Sequence, residues 1–160
     1  MDVVSNTSPL CYLILLELVD VVPVVFTNLI VPPSVLTELS ASDSPEIVRQ
    51  WATAPPKWLR VLQPTSVLSN LQLHQGELHA ISLALELRVQ RLLIDERAGR
   101  AAAKVLGIPV AGTLAVLDLA SERGLLHLPD AIDRLRKTNF RISENLIQQA
   151  LRKDAARRSK

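Results

Sequence analysis

Aromatic residues make up only 3% of this chain, although 48% of it is hydrophobic. The core it can build is therefore aliphatic, assembled from Leu, Val, Ile and Ala. A surplus of aliphatic side chains on this scale predicts a further buried surface, in a homodimer or against a partner protein. Cysteine is limited to Cys11, which excludes an intrachain disulfide and makes a reducing cytoplasm the expected setting. Within the apolar stretch around it, Cys11 reads as a small core residue and a poor nucleophile. Glycine is also scarce, with five in 160 residues. No Gly-Ser linker, internal repeat or break in composition divides the chain, so one domain is expected.

Other absences narrow the chemistry. Neither Gly-x-Gly-x-x-Gly nor a P-loop occurs, so nucleotide-cofactor binding has no sequence support. The three histidines, His74, His79 and His127, lack the i, i+4 spacing of a zinc-binding helix. Ser5 and Ser8 lie in no serine-hydrolase motif. No Lys or Arg precedes Arg49. The apolar run from Leu10 to Phe26 thus lacks a positive flank, and Glu17, Asp20 and Pro23 interrupt it, which argues against a signal peptide or a membrane span.

The charges present are unevenly placed. Net charge is +2, yet all 18 bases follow six acids: Asp2, Glu17, Asp20, Glu38, Asp43 and Glu46. An acidic front and a basic rear suit a metal site facing a polyanion, and they suit two solvated faces equally well.

Along the chain, short β-branched or apolar runs alternate with helical spacing. Strands are expected at Asp2–Ser5, Leu29–Val31, Leu92–Ile94 and Ile108–Ala111, with an extended segment at Leu59–Leu62. Ser8 is expected to cap a helix that opens at Pro9. Further helices are expected at 34–39, 45–51, 77–87, 97–106, where Gly107 forms the cap, and then 114–123, 129–137 and 144–158. This alternation predicts a three-layer α/β/α sandwich around a parallel sheet of four to five strands. Ligands in such folds sit beyond the carboxyl ends of the strands, where strand order reverses.

Two apolar runs end in oxygen-bearing side chains at that edge: the first in Asn6, and the run at 92–94 in Asp95 with Glu96 beside it. An acid directly after a buried strand is costly unless it lies in an exposed loop or is bound, which singles out Asp95. Glu38 and Glu77 stand on helices that can bring them to the same edge. Oxygen donors from four separated segments form the ligand set preferred by magnesium or manganese. Plainer readings exist for three of them. Glu77 suits a helix's first turn, Glu38 a solvated surface, and Asn6 a turn bonded to its own backbone.

Four segments then carry a resemblance: Val4–Leu10, Ile30–Leu39, Gly76–Ile81 and Leu93–Arg100. In this order they resemble the successive signatures of PIN-like proteins of the VapC-like kind. Gly107–Thr113 and Ala120–Leu125 continue the likeness to about residue 146, leaving 147–160 as a basic C-terminal helix or tail. The resemblance implies a magnesium- or manganese-dependent ribonuclease, often a toxin silenced by a small antitoxin. It places catalytic and metal-binding roles on Asn6, Glu38, Glu77 and Asp95, with Glu96 as a neighbouring ligand. Thr7, Ser8 and Thr113, at strand ends near the cluster, are expected to bond phosphate or water beside the metal, and Arg97 and Arg100 either contact RNA or, as is commoner, simply line an exposed helix face. One departure stands out, because the family's first strand ends in aspartate and this one ends in Asn6. Asp2 cannot replace it, lying roughly 13 Å back along an extended strand. The alternative to an active nuclease is therefore an impaired PIN-like domain that binds RNA or protein.

Overall fold

The short apolar runs become five strands: β1 (Asp2–Ser5), β2 (Asn28–Val31), β3 (Leu59–Val61), β4 (Arg91–Leu93) and β5 (Val110–Ala111). The computed structural model describes all 160 residues, Met1–Lys160. All four pairings are parallel, in the order β3-β2-β1-β4-β5. Strand order reverses between β1 and β4, so these neighbours define the switch point. The helices are α1 (Thr7–Leu15), α2 (Val22–Val25), α3 (Pro33–Leu39), α4 (Glu46–Thr53), α5 (Gln75–Leu87), α6 (Arg97–Val105), α7 (Thr113–Glu122), α8 (Leu128–Arg136) and α9 (Glu144–Arg158). The architecture is the expected α/β/α sandwich, with a sheet of five strands.

The chain divides into two compact units, Met1–Thr113 and Leu114–Lys160. In the first, β1 and its neighbours are buried on both faces, as parallel strands must be. Val4, Ile30, Leu92 and Ile94 pack with Ala80, Ile81 and Ala84 of α5 and Ala103 of α6. Pleating turns Val3, Leu29, Val31 and Leu93 the other way, and each is at most 1% exposed. Right-handed crossovers place α1 to α4 on that second face and α5 with α6 on the first.

Three local details differ from the sequence reading. Helix α1 opens at Thr7, so Asn6 takes the capping position with extended backbone and makes no side-chain cap. Its N–H instead bonds Leu93 O at 2.8 Å, which prolongs the β1–β4 ladder and starts the helix two residues early. Strand β5 is reduced to Val110–Ala111, although Pro109 O still accepts Leu92 N–H at 2.8 Å. Cys11 is half-buried rather than a core residue, and burial raises its thiol above the ordinary value.

The apolar run beginning at Leu10 splits where Glu17 adopts φ 57°. The two helical stretches on either side of this break, Thr7–Leu15 and Val19–Val25, meet at 116°, and no single helix is long and apolar enough to cross a membrane.

In the second unit, α8 buries Leu128, Ala131, Ile132 and Leu135. Helix α9 runs unbroken from Glu144 to Arg158, and its cations are largely paired. Lys153 and Arg157 reach Asp118 of α7 at 3.0 and 2.6 Å. Asp154, only 1% exposed, accepts Ser121 Oγ at 2.6 Å and pairs with Arg158 at 2.8 Å. Despite the opposing effect of burial, these donors hold the carboxyls of Asp118 and Asp154 below their ordinary values.

Candidate metal and phosphate pocket

At the switch point the chain leaves β1 through Asn6 and leaves β4 through Ile94, Asp95 and Glu96. Ser5 lies in register with Leu93, so both exits open on the same edge. The Asn6 side chain is anchored by the ladder bond of its own backbone and is 3% exposed. Its Oδ1 has no hydrogen-bond partner.

Glu38, in the last turn of α3, is held from two sides. Thr7 Oγ1 donates to its Oε2, and Gly76 N–H donates to its Oε1 at 3.1 Å. One carboxylate thus gathers the first turns of α1 and α5, and a Cβ at Gly76 would overlap it. Glu77, the next residue, is 5% exposed and its Oε2 is unpartnered. Burial pushes its carboxyl above the usual range; the negative charges of Glu96 and Glu38 add to this, and His74 opposes it. Gly99 of α6 makes the room, since a Cβ there would lie 2.6 Å from Glu77 Oε2.

The carboxylates of Glu38, Glu77 and Glu96 and the amide of Asn6 line one pocket of about 230 Å³, completed by Thr7, Ser8 and His74. Ser8 Oγ lies 3.4 Å from Glu96 Oε1. His74 was not singled out by the sequence reading, which weighed histidines only for zinc. The available signal was its position three residues before Glu77, one helical turn away.

Asp95 sits differently. Thr113, fully buried at the start of α7, donates its N–H to Asp95 Oδ1 and its hydroxyl to Oδ2, both at 2.7 Å. Burial raises the Asp95 carboxyl, against the lowering effect of these bonds and of Arg100. Arg100 donates to Ile94 O at 3.1 Å. Gly112 leaves space between them, because a Cβ there would lie 2.9 Å from both Asp95 Oδ1 and Arg100 Nη1. Of the residues expected at the site, Asn6, Thr7, Ser8, Glu38, Glu77 and Glu96 share the pocket. Asp95, Thr113 and Arg100 form the network beside it, and Arg97 is exposed at the start of α6.

No three Asp, Glu, His or Cys side chains converge closely enough to enclose an ion as they stand. The donors nevertheless fit a hard cation, being mainly oxygens from carboxylates, an amide and hydroxyls. Two of those oxygens, on Asn6 and Glu77, are buried without partners. Each such atom costs about 1–3 kcal/mol unless something satisfies it.

A family model described as a PIN domain matches residues 2–155. No curated protein and no solved structure matches the chain.

Proposed function

The chain belongs to the PIN domain family, a family of nucleases, and from that membership and the pocket we propose that it is a divalent-metal-dependent endoribonuclease. The observation that carries this reading is the pair of unpartnered buried oxygens, Asn6 Oδ1 and Glu77 Oε2, on an otherwise acidic pocket. Asn6, Glu38, Glu77 and a carboxylate from the Asp95–Glu96 turn would hold magnesium or manganese. Such an ion supplies positive charge that polarises a phosphodiester and makes water a better nucleophile near neutral pH.

The chain's own residues do the positioning. Glu38 fixes the first turns of α1 and α5, so the Thr7 and Ser8 hydroxyls stand at the rim where phosphate oxygens would lie. Arg97 lies exposed one residue beyond Glu96, within the basic rear of the sequence that would attract the RNA backbone. The same reading makes the protein the toxin of a toxin–antitoxin pair, held silent by a small antitoxin, with its aliphatic surplus serving a homodimer.

A second reading rests on Asn6 itself. An amide supplies one negative charge fewer than the aspartate its position calls for, and the domain then serves as an impaired RNA- or protein-binding module. Incubation of structured RNA with magnesium or manganese separates the two. The wild-type chain is expected to cleave, chelator to stop it, and Glu77→Gln to abolish it. An inert wild type with an active Asn6→Asp variant establishes the second reading. Equal cleavage by Glu77→Gln assigns the activity to a contaminant.

A further inference from the structure

The turn after β4 presents two adjacent carboxylates, and only one faces the pocket. Both oxygens of Asp95 receive hydrogen bonds of 2.7 Å from Thr113, which is fully buried. To swing toward the pocket, Asp95 must break both and leave the Thr113 N–H without its acceptor. Glu96 is exposed, lines the pocket and comes within 3.4 Å of the Ser8 hydroxyl. With an amide at Asn6, a cation in this pocket meets one charge fewer from β1, and Glu96 brings the acids lining it to three.

We propose that Glu96, rather than Asp95, is the carboxylate this turn contributes to a divalent cation, and that Asp95 is a positioning residue whose clamp on Thr113 fixes the Ile94–Arg97 turn. The inference rests on the metal-binding reading above and assigns its fourth donor. Gly112 fits the same division of roles, because its missing Cβ is what lets the Asp95–Thr113 clamp and the Arg100 guanidinium close together.

The test is titration of the full chain with Mn²⁺ alone, following the free ion by electron paramagnetic resonance, alongside thermal unfolding without metal. Glu96→Gln, which removes a charged oxygen ligand, is expected to weaken Mn²⁺ binding by about tenfold or more with no loss of Tm. Asp95→Asn, which keeps an acceptor for the Thr113 N–H, weakens binding less than Glu96→Gln does. Thr113→Val lowers Tm, and Thr113→Ser, which keeps the hydroxyl, restores it. Wild-type affinity in Glu96→Gln, or an equal or larger loss in Asp95→Asn, overturns the assignment while metal binding by the wild type stands. Should Asp95→Asn not fold, Glu96→Gln alone decides. A wild-type chain that takes up no Mn²⁺ overturns the metal reading, and this assignment with it.

Discussion

Gly99 of α6 faces Glu77 of α5 so closely that a methyl group on it would lie 2.6 Å from Glu77 Oε2 and 2.5 Å from Ile94 Cδ1. Both contacted atoms end flexible side chains, but those side chains are buried and cannot swing into solvent. Alanine favours a helix over glycine by about 1 kcal/mol, while overpacking costs about 1–3 kcal/mol. Gly99→Ala is therefore expected to destabilise the protein by about 1 kcal/mol in urea unfolding. The penalty shrinks in a Glu77→Ala background, and a double-mutant cycle reads that coupling directly.

Glu77 sets a pH dependence of definite sign. Its carboxyl is raised in the folded chain, chiefly by burial and then by Glu96, so the folded state binds the proton more tightly than the unfolded state. The stability associated with this proton is fully present below the unfolded value and is lost as pH rises through the folded one. Without metal, wild type minus Glu77→Gln should show stability falling with pH just above the ordinary glutamate range. A difference that rises with pH would contradict the burial of this carboxyl.

The order of elements was legible because each strand is a short apolar run and each helix has its own spacing. Asn6 and the Asp95–Glu96 pair were correctly placed at strand ends, since an oxygen-bearing side chain closing an apolar run marks the edge of a sheet. The division of labour was not legible. Thr7 lies 31 residues from Glu38, and Thr113 lies 18 from Asp95, and hydrogen bonds across such separations leave no periodic trace. The glycines were informative in a way that counting them missed. Gly76, Gly99 and Gly112 each back onto one carboxylate, Glu38, Glu77 and Asp95 in turn, whereas Gly107 and Gly124 serve turns with φ of 75° and 71°.

In the second unit, Asp154 is the buried acceptor that joins Ser121 to the cations of α9. Arg158 is half exposed and Arg157 also pairs with Asp118, so losing Asp154 strands neither cation, and such solvent-screened pairs contribute about 0–1 kcal/mol. Asp154→Ala, which removes these pairs and the acceptor of the Ser121 hydroxyl, is expected to destabilise the chain by about 1–2 kcal/mol, and Ser121→Ala by about 1 kcal/mol, in denaturant unfolding. The carboxyl is held low in the folded state, so its contribution is present above the unfolded value and vanishes as pH falls through the folded one. The wild-type advantage over Asp154→Ala should therefore narrow in acid.

Asn6→Asp tests how far the pocket is built for a cation. The residue is 3% exposed, its Oδ1 has no partner, and Glu38, Glu77 and Glu96 share its pocket. A fourth negative charge placed there without metal adds repulsion and desolvation, so the variant should lose stability in chelator. With metal the balance reverses. Restoring the acid should tighten Mn²⁺ binding by about tenfold, equivalent to about 1.4 kcal/mol, and thermal unfolding should show a larger metal-induced rise in Tm than wild type. Both halves must hold together. A variant destabilised with and without Mn²⁺ alike would mean that the unpartnered oxygens of Asn6 and Glu77 do not face a cation.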